Sequence, residues 1–480
     1  MRRKLGGLWD KRWASLLMFL SLNPLASLAQ SSSASGGVQA GPAQVNSNTY
    51  QGSLVKQATV PGVLPLSLEQ AIHMGLQYNL GLVLSGTNAT SAGAQQLQQL
   101  QALLPTVTAS AKEAAQQTNL QAEGLTIPGF PAVIGPYGYT DIRGSVQMSL
   151  LNLNSLQSYL ASKHNFAGSK LSIEDAKDLV VLTVGNAYLL CIADASRVQS
   201  AQAQVNSSKV SLDQAVANHQ AGTAPLLDEL RARVDYQTQQ QNVISTQNQY
   251  QKDKIALARA IGLPLEQSYE LSDQLPFKAL DDVDPKAAVQ QGLAHRRDLQ
   301  ALQQQVEGAQ ASRKAATDER YPTLSVSADY GLIGPNLGHS HGTFDAVGTA
   351  SVPLFEEAKL RGDARDAQAQ LDQKQAQLND LQGQIGADVR DSILDIEAAA
   401  KQVSVARSNV ELATEALSEA QQRYAAGVAD NLAVSQALTS LAQADDQLNG
   451  SLYQHNVAKL SLARALGIAE TNYKDYVGGK

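Results

Sequence analysis

The sequence predicts an α+β membrane protein, in which a long antiparallel α-helical coiled-coil barrel carries four transmembrane β-strands per chain that contribute to an oligomeric β-barrel. Three observations predict it. The chain repeats itself once at a spacing near 200 residues, each copy holds two stretches of alternating polarity, and each copy holds one proline-free helical stretch close to 70 residues long. Aromatics make up 5% of the 480 residues while Ala, Gln, Leu and Ser dominate, a mixture that suits thin walls of closely packed helices.

The N-terminus carries Arg2, Arg3, Lys4, Lys11 and Arg12, then an apolar run over 13–22, then Ser27-Leu28-Ala29 as a small-x-small cleavage site. Residues 1–29 therefore read as a secretory signal peptide, the run being well short of the roughly 20 residues that span a bilayer. Residues 30–64 are rich in Ser, Gly, Ala, Gln and Asn without periodicity and are expected to form a flexible leader. The single cysteine, Cys191, allows no intramolecular disulfide, and no cysteine follows the cleavage site to take a lipid anchor. A formal charge of −7 argues against a nucleic-acid partner.

Order is expected from Pro65, with Ser67 capping a helix and Gln70 as its capping-box partner. The duplication follows. Gly75-Leu76 recurs as Gly292-Leu293 and Pro105-Thr106 as Pro322-Thr323, both displaced by 217; Ala221-Gly222 recurs as Ala426-Gly427, displaced by 205. The change of offset places a longer strand-to-strand loop in the first copy. The first repeat is read as 65–270, a linker as 271–285, the second repeat as 286–470 and a tail as 471–480. A period this long is a duplicated substructure and not a solenoid.

Each repeat reads as helix, strand, loop, strand, long helix, turn, helix. In 323–332 Leu324, Val326, Ala328, Tyr330 and Leu332 share one face; in 139–150 Ile142, Val146, Met148 and Leu150 oppose Asp141, Arg143, Ser145 and Gln147. The stretch 344–354 alternates likewise, and 106–111 does so more weakly. Tilted membrane strands need about 9–11 residues. The long helices are expected over 152–218 and 356–424, each about 100 Å at roughly 1.5 Å per residue. Shorter helices are expected over 68–103, 226–261, 286–320 and 432–466, two of them stacked end to end beside each long one. The seam Val403, Ala406, Val410, Ala413, Leu417, Ala420, Tyr424 has the 3-4 spacing of a left-handed coiled coil, and 205 residues earlier stand Val198, Ala201, Val205, Ser208, Leu212, Ala215 and His219.

Four strands cannot close a barrel, so the chain must oligomerise, and spacing alone permits two copies or three. The duplicated order, with Tyr424-Ala-Ala-Gly427 and Gly222-Thr223-Ala-Pro at the turns and Leu-Ala-Arg-Ala-[Ile/Leu]-Gly closing each unit, resembles the TolC family of outer-membrane efflux proteins. That resemblance implies a homotrimer, a 12-stranded barrel in the outer-membrane lipid, a periplasmic helical tunnel, and the role of passive exit duct in tripartite efflux or type I secretion. It also implies a periplasmic adaptor protein and an inner-membrane pump of RND, ABC or MFS type as partners. At the tip it implies a latch between Tyr424 and Asp228, a hydrogen bond worth roughly 1.5–3 kcal/mol. The alternative is a core tyrosine and a first-turn aspartate favoured by the helix dipole. Gly222, Gly427, Thr223 and Asp430 are the expected turn and adaptor-docking residues. The basic residue and two aspartates of some members are replaced by Ala429, Ala433 and Gln436, so an acidic ring is not expected.

No convergent acid, base or nucleophile set points to an enzyme, and no cofactor is expected. His339 and His341 have metal-ligand side chains but lie in a Gly-rich stretch expected to be a solvated loop. The rival reading is a soluble periplasmic coiled-coil scaffold, which leaves the four strands unexplained.

Overall fold

The computed structural model describes residues 47–480 except 56–58, 123, 275–276, 281–282 and 478–480. The signal peptide expected at 1–29 and the linker residues Asp281 and Asp282 lie outside the described residues.

Both long helices form, α3 over Leu153–Gln220 (68 residues) and α7 over Glu357–Ala425 (69 residues). Their partners are α4, Leu226–Ile261, and α8, Asn431–Ala465. The coiled-coil seam is visible as burial: Val403, Ala406, Leu417 and Tyr424 are buried on α7, and Ala201, Ser208 and Ala215 on α3. Small residues at these positions let the helices approach closely.

The stretches expected as the continuous helices 68–103 and 286–320 are each broken instead. The first is α1, Leu68–Tyr78, then α2, Leu80–Gln101, with Asn79 extended between them. The second is α5, Pro285–His295, then α6, Arg297–Asp318, with Arg296 extended between them. Neither break has a proline to announce it. The expected capping box does form, with Ser67 and Gln70 exchanging bonds at the start of α1.

Around the breaks the chain builds its thickest core. Val180, Val181, Val184, Tyr188 and Leu189 of α3 pack with Ile72 of α1, Leu257 and Ile261 of α4, and Leu460 of α8. Each such aliphatic side chain contributes about 1.5–3 kcal/mol by leaving water. This middle of α3 is apolar enough by composition to cross a membrane, with a mean hydropathy of 1.7, but 56% of that window is buried inside the protein. A second apolar cluster joins Ala288 of α5, Val389 and Ile393 of α7, and Leu462 of α8.

Residues expected in the leader carry structure from Ser47. A 3-10 turn, Ser47–Gln51, seats Tyr50 in the core, and β1, Leu64–Leu66, pairs in parallel with β4, Tyr269–Leu271. Likewise α9, Ala469–Val477, buries Tyr473 and Val477 where a tail was expected. These elements are too short to show a period, and packing against the core fixes them.

Four strands make one antiparallel sheet in the order β2-β3-β5-β6: Thr106–Asn119, Val133–Leu151, Thr323–Gly334 and His341–Ser351. The register sets Val146 opposite Ala328, Ile142 opposite Leu332, and Tyr330 opposite Phe344, so the apolar residues share one face. β2 is longer than its weak alternation over 106–111 suggests, because pairing with β3 overrides the helix preference of Ala114, Ala115, Gln116 and Gln117. The longer strand-to-strand loop lies in the first repeat, as the changed offset predicts. β2 and β6 are the two edges, unpaired among the described residues.

Candidate functional site

The end of the coiled coil opposite the strands is built from two turns. α3 is C-capped by Ala221, followed by Gly222 at φ 74°; α7 is C-capped by Ala426, followed by Gly427 at φ 73°. This left-handed geometry closes a helix cheaply only without a Cβ. Nothing lies within 4 Å of where a Cβ would stand at either glycine, so the tip is open on that side. Thr223 Oγ1 and its backbone N–H both donate to the Asn218 carbonyl at 2.9 Å, tying the first turn to the last turn of α3. Asp430 is the N-cap of α8 but makes no side-chain capping bond, and Val428 beside it is exposed.

Tyr424 is the last seam residue of α7. It packs with Leu417, Val434 and Leu438 in a small core at the tip and is 4% exposed. Its hydroxyl lies beside Asn218 without a well-formed hydrogen bond. Burial, and after it the charge of Asp228, push the phenol pKa up. Asp228, in the first turn of α4, is 6% exposed, and its carboxylate has Arg231 Nη1 at 3.9 Å. Within one chain the structure brings Tyr424 and Asp228 into the same buried region, and no hydrogen bond joins them.

Sequence reasoning missed Asn431. It is 1% exposed, its Oδ1 accepts from Ser211 Oγ at 3.1 Å, and its Nδ2 points to the Asp228 carbonyl at 3.5 Å, linking α8 to α3 and α4. The signal was present: 205 residues earlier stands Leu226, so a polar residue replaces an apolar one at a duplicated position. Ala429, Ala433 and Gln436 occupy the places where an acidic ring was not expected, and among the described residues no cluster of three His, Cys, Asp or Glu is arranged to hold a metal ion. His339 ends a short 3-10 turn, Leu337–His339, and donates its N–H to Asn336; His341 opens β6.

At the other end the four strands present an apolar face with Val107, Tyr330 and Phe344 largely exposed, opposite a face bearing Lys112, Asp141, Arg143, Asp329 and Asp345. A sheet with one lipid-compatible face and one charged face, set on helical staves about 100 Å long, defines an outer-membrane channel-tunnel with a periplasmic helical domain.

The comparisons agree. The outer membrane efflux protein family matches residues 77–263 and 288–468, one block for each repeat, and the chain belongs to that family. It is 23% identical over 410 residues to the probable efflux pump outer membrane protein TtgC of Pseudomonas putida, covering 84% of this chain and 83% of that one. It is 28% identical over 350 residues to the toluene efflux pump outer membrane protein TtgI of Pseudomonas putida, covering 70% and 74%. Among solved structures it superposes on VceC of Vibrio cholerae with a TM-score of 0.75 at 20% identity, covering 83% of this chain and 96% of that one. On the CmeC channel of Campylobacter jejuni the TM-score is 0.76 at 16% identity, with 88% and 92% covered. The protein is an outer-membrane efflux channel, the exit component of an efflux pump.

Proposed function

We propose that three copies close a 12-stranded β-barrel and a helical tunnel, and that the trimer is a passive duct, not an enzyme. The observation that carries this is the sheet: its apolar face needs lipid, and its edges β2 and β6 need strand partners that one chain does not supply. Two copies would give eight strands, which close around side chains, whereas twelve leave an aqueous lumen.

The tip is the gate and the docking end. Tyr424 and Asp228 form the latch when the coils of the assembled channel tighten, and Gly222, Thr223, Gly427 and Asp430 meet a periplasmic adaptor. The adaptor joins the tunnel to an inner-membrane pump of RND, ABC or MFS type. That relatives are named for toluene efflux and for pyoverdine export, chemically unlike cargo, supports a duct that leaves substrate choice to the pump.

Reconstitution in a planar bilayer tests this reading. Discrete conductance from a detergent-extracted trimer supports it. Release of the protein from membranes by salt alone, without conductance, overturns it in favour of a soluble scaffold.

A further inference from the structure

On the polar face, the two free edges of the sheet carry opposite charges at matching positions, Lys112 on β2 and Asp345 on β6. Directly opposed residues of an antiparallel pair share a face, and the register sets Lys112 opposite Asp141 and Asp329 opposite Asp345, all on the polar face. Arg143 reaches both Asp141 and Asp329 and donates to Thr343 Oγ1 at 3.5 Å, so those two carboxylates are compensated. Asp345 is not. It faces a like charge across the strands, an unfavourable arrangement, and makes no hydrogen bond or ion pair among the described residues.

Lys112 is the one charged residue on the polar face of β2, its ammonium resting 5.5 Å from the Tyr139 ring centre. Asp345 is the one carboxylate on β6. Lys112 stands six residues after Thr106, the first of β2 (112 − 106), and Asp345 stands six before Ser351, the last of β6 (351 − 345). Thr106 and Ser351 both lie at the end of the sheet that joins the helices.

We infer that β6 of one copy pairs antiparallel with β2 of the next in the register that sets Asp345 against Lys112. This rests on the oligomeric-barrel reading and specifies its seam. The register aligns Ser351 with Thr106 and Thr349 with Thr108 on the polar face, and Ala350 with Val107, Gly348 with Ala109 and Ala346 with Ala111 on the apolar face. A slip of one residue turns the apolar set of one strand onto the polar face of the other. A slip of two sets Lys112 against Thr343 or Val347 and leaves Asp345 without a cation opposite it. A contact that sets Asp345 of one edge against Lys112 of the other is heterologous, which builds a ring where the rotation closes and does not build a two-fold dimer.

Paired cysteines test the seam. Cys191 is the only native cysteine and is fully buried, so an introduced pair reports alone. Opposed strand residues have Cα atoms about 4.5–5.5 Å apart, within the disulfide range. Full-length protein carrying Lys112→Cys with Asp345→Cys, oxidised in membranes, is expected to form covalent multimers on denaturing gels that reductant dissolves, while either single variant stays monomeric. Faster crosslinking of Lys112→Cys with Thr343→Cys or Val347→Cys overturns the register. A chain that conducts but crosslinks with none of these pairs overturns the seam and leaves the channel reading intact; a chain that neither conducts nor oligomerises overturns the channel reading itself. In addition, Lys112→Asp is expected to lose detergent-stable oligomers and Lys112→Asp with Asp345→Lys to regain them. Absence of that rescue argues against the pair.

Discussion

Asn79 and Arg296 hold the same place in the two halves of the molecule, 217 residues apart, and each is the single extended residue that splits a helix in two. Their chemistry differs. The Asn79 amide donates to the carbonyls of Tyr50 at 2.6 Å and Ala260 at 3.2 Å, and its oxygen accepts from Gly81 N–H at 2.9 Å. The Arg296 guanidinium instead holds Asp298 at 2.6 Å and Asp388 at 2.7 Å. A neutral break ties the first repeat to the N-terminal turn and α4, and a charged one ties the second repeat to α7.

Asn79→Ala removes the cap of α2 and strips two buried carbonyls of their donor. It is expected to lower stability by about 2–4 kcal/mol, the sum expected for a lost cap and unsatisfied buried groups. The readout is the denaturation midpoint of detergent-solubilised protein by circular dichroism, with Asn79→Asp, which sets a buried carboxylate against two carbonyl oxygens, expected to fall no higher than Asn79→Ala.

Arg296→Met leaves Asp298 and Asp388 without their shared cation at a side chain that is 7% exposed. Asp298 keeps Arg464 Nη2 at 3.8 Å and the Asp388 side chain is 39% exposed, so the loss is expected to be about 1.5–3 kcal/mol, that of charge-assisted hydrogen bonds and not of a fully desolvated ion. The same denaturation measurement is expected to place Arg296→Met close to Asn79→Ala, and adding Asp388→Asn to Arg296→Met is expected to recover part of the loss.

A pH effect follows from His455. The ring is fully buried on α8, neither nitrogen has a hydrogen-bond partner among the described residues, and it packs at a 42° tilt against the Phe277 ring, 5.1 Å between centres. Burial first, then the Lys459 ammonium, bring its pKa from 6.5 down to about 4. Between those values the unfolded chain binds a proton that the folded chain refuses. The stability from keeping His455 neutral is therefore complete above pH 6.5 and is lost as pH falls toward 4, by at most about 3 kcal/mol. Asp175 and Asp194, both raised to about 6 chiefly by burial, act in the opposite sense over the same range. The measurement is thus a difference: native protein is expected to lose stability relative to His455→Leu between pH 7 and pH 4, and parallel curves would contradict it.

The long helices and the seam were legible because no proline interrupts either long stretch, because the 3-4 spacing persists over about six turns, and because both occur twice. The breaks at Asn79 and Arg296 were not, since neither is a strong helix breaker and the cause is distant: Tyr50 and Ala260 for one, Asp388 for the other. β1, β4 and α9 stayed hidden for the same reason. At the tip the turn glycines stand out by their duplication alone. Asn431 was overlooked although its departure from Leu226 was in plain view, because attention to matching positions passes over the mismatched one.

Gly467 and Gly427 separate a packing role from an exposed one. Gly467 has φ 71°, and a Cβ there would stand 2.8 Å from the Arg296 backbone nitrogen. Gly427 has φ 73° with open space around it. Alanine at Gly427 is expected to cost only the left-handed backbone penalty, about 1–2 kcal/mol. At Gly467 it adds a backbone clash and is expected to reduce the amount of folded protein in the outer membrane, measured by fractionation and heat-modifiability. If the Gly427→Ala channel is stable but fails to export, the open tip surface is a docking surface.

Tyr424→Phe removes a hydroxyl that is buried without a hydrogen bond in the single chain. Burying an unpaired hydroxyl is unfavourable, so the ring alone holds the core of Leu417, Val434 and Leu438 at least as well, and the denaturation midpoint is expected to stay level or rise. Function is expected to move the other way if the tightened coils of the assembled channel give that hydroxyl to Asp228. Conductance in a planar bilayer then increases for Tyr424→Phe, increases further with Asp228→Ala, and does so without loss of trimer. A latch is therefore recognised by rising conductance at constant stability, and a purely structural tyrosine by constant conductance in both variants.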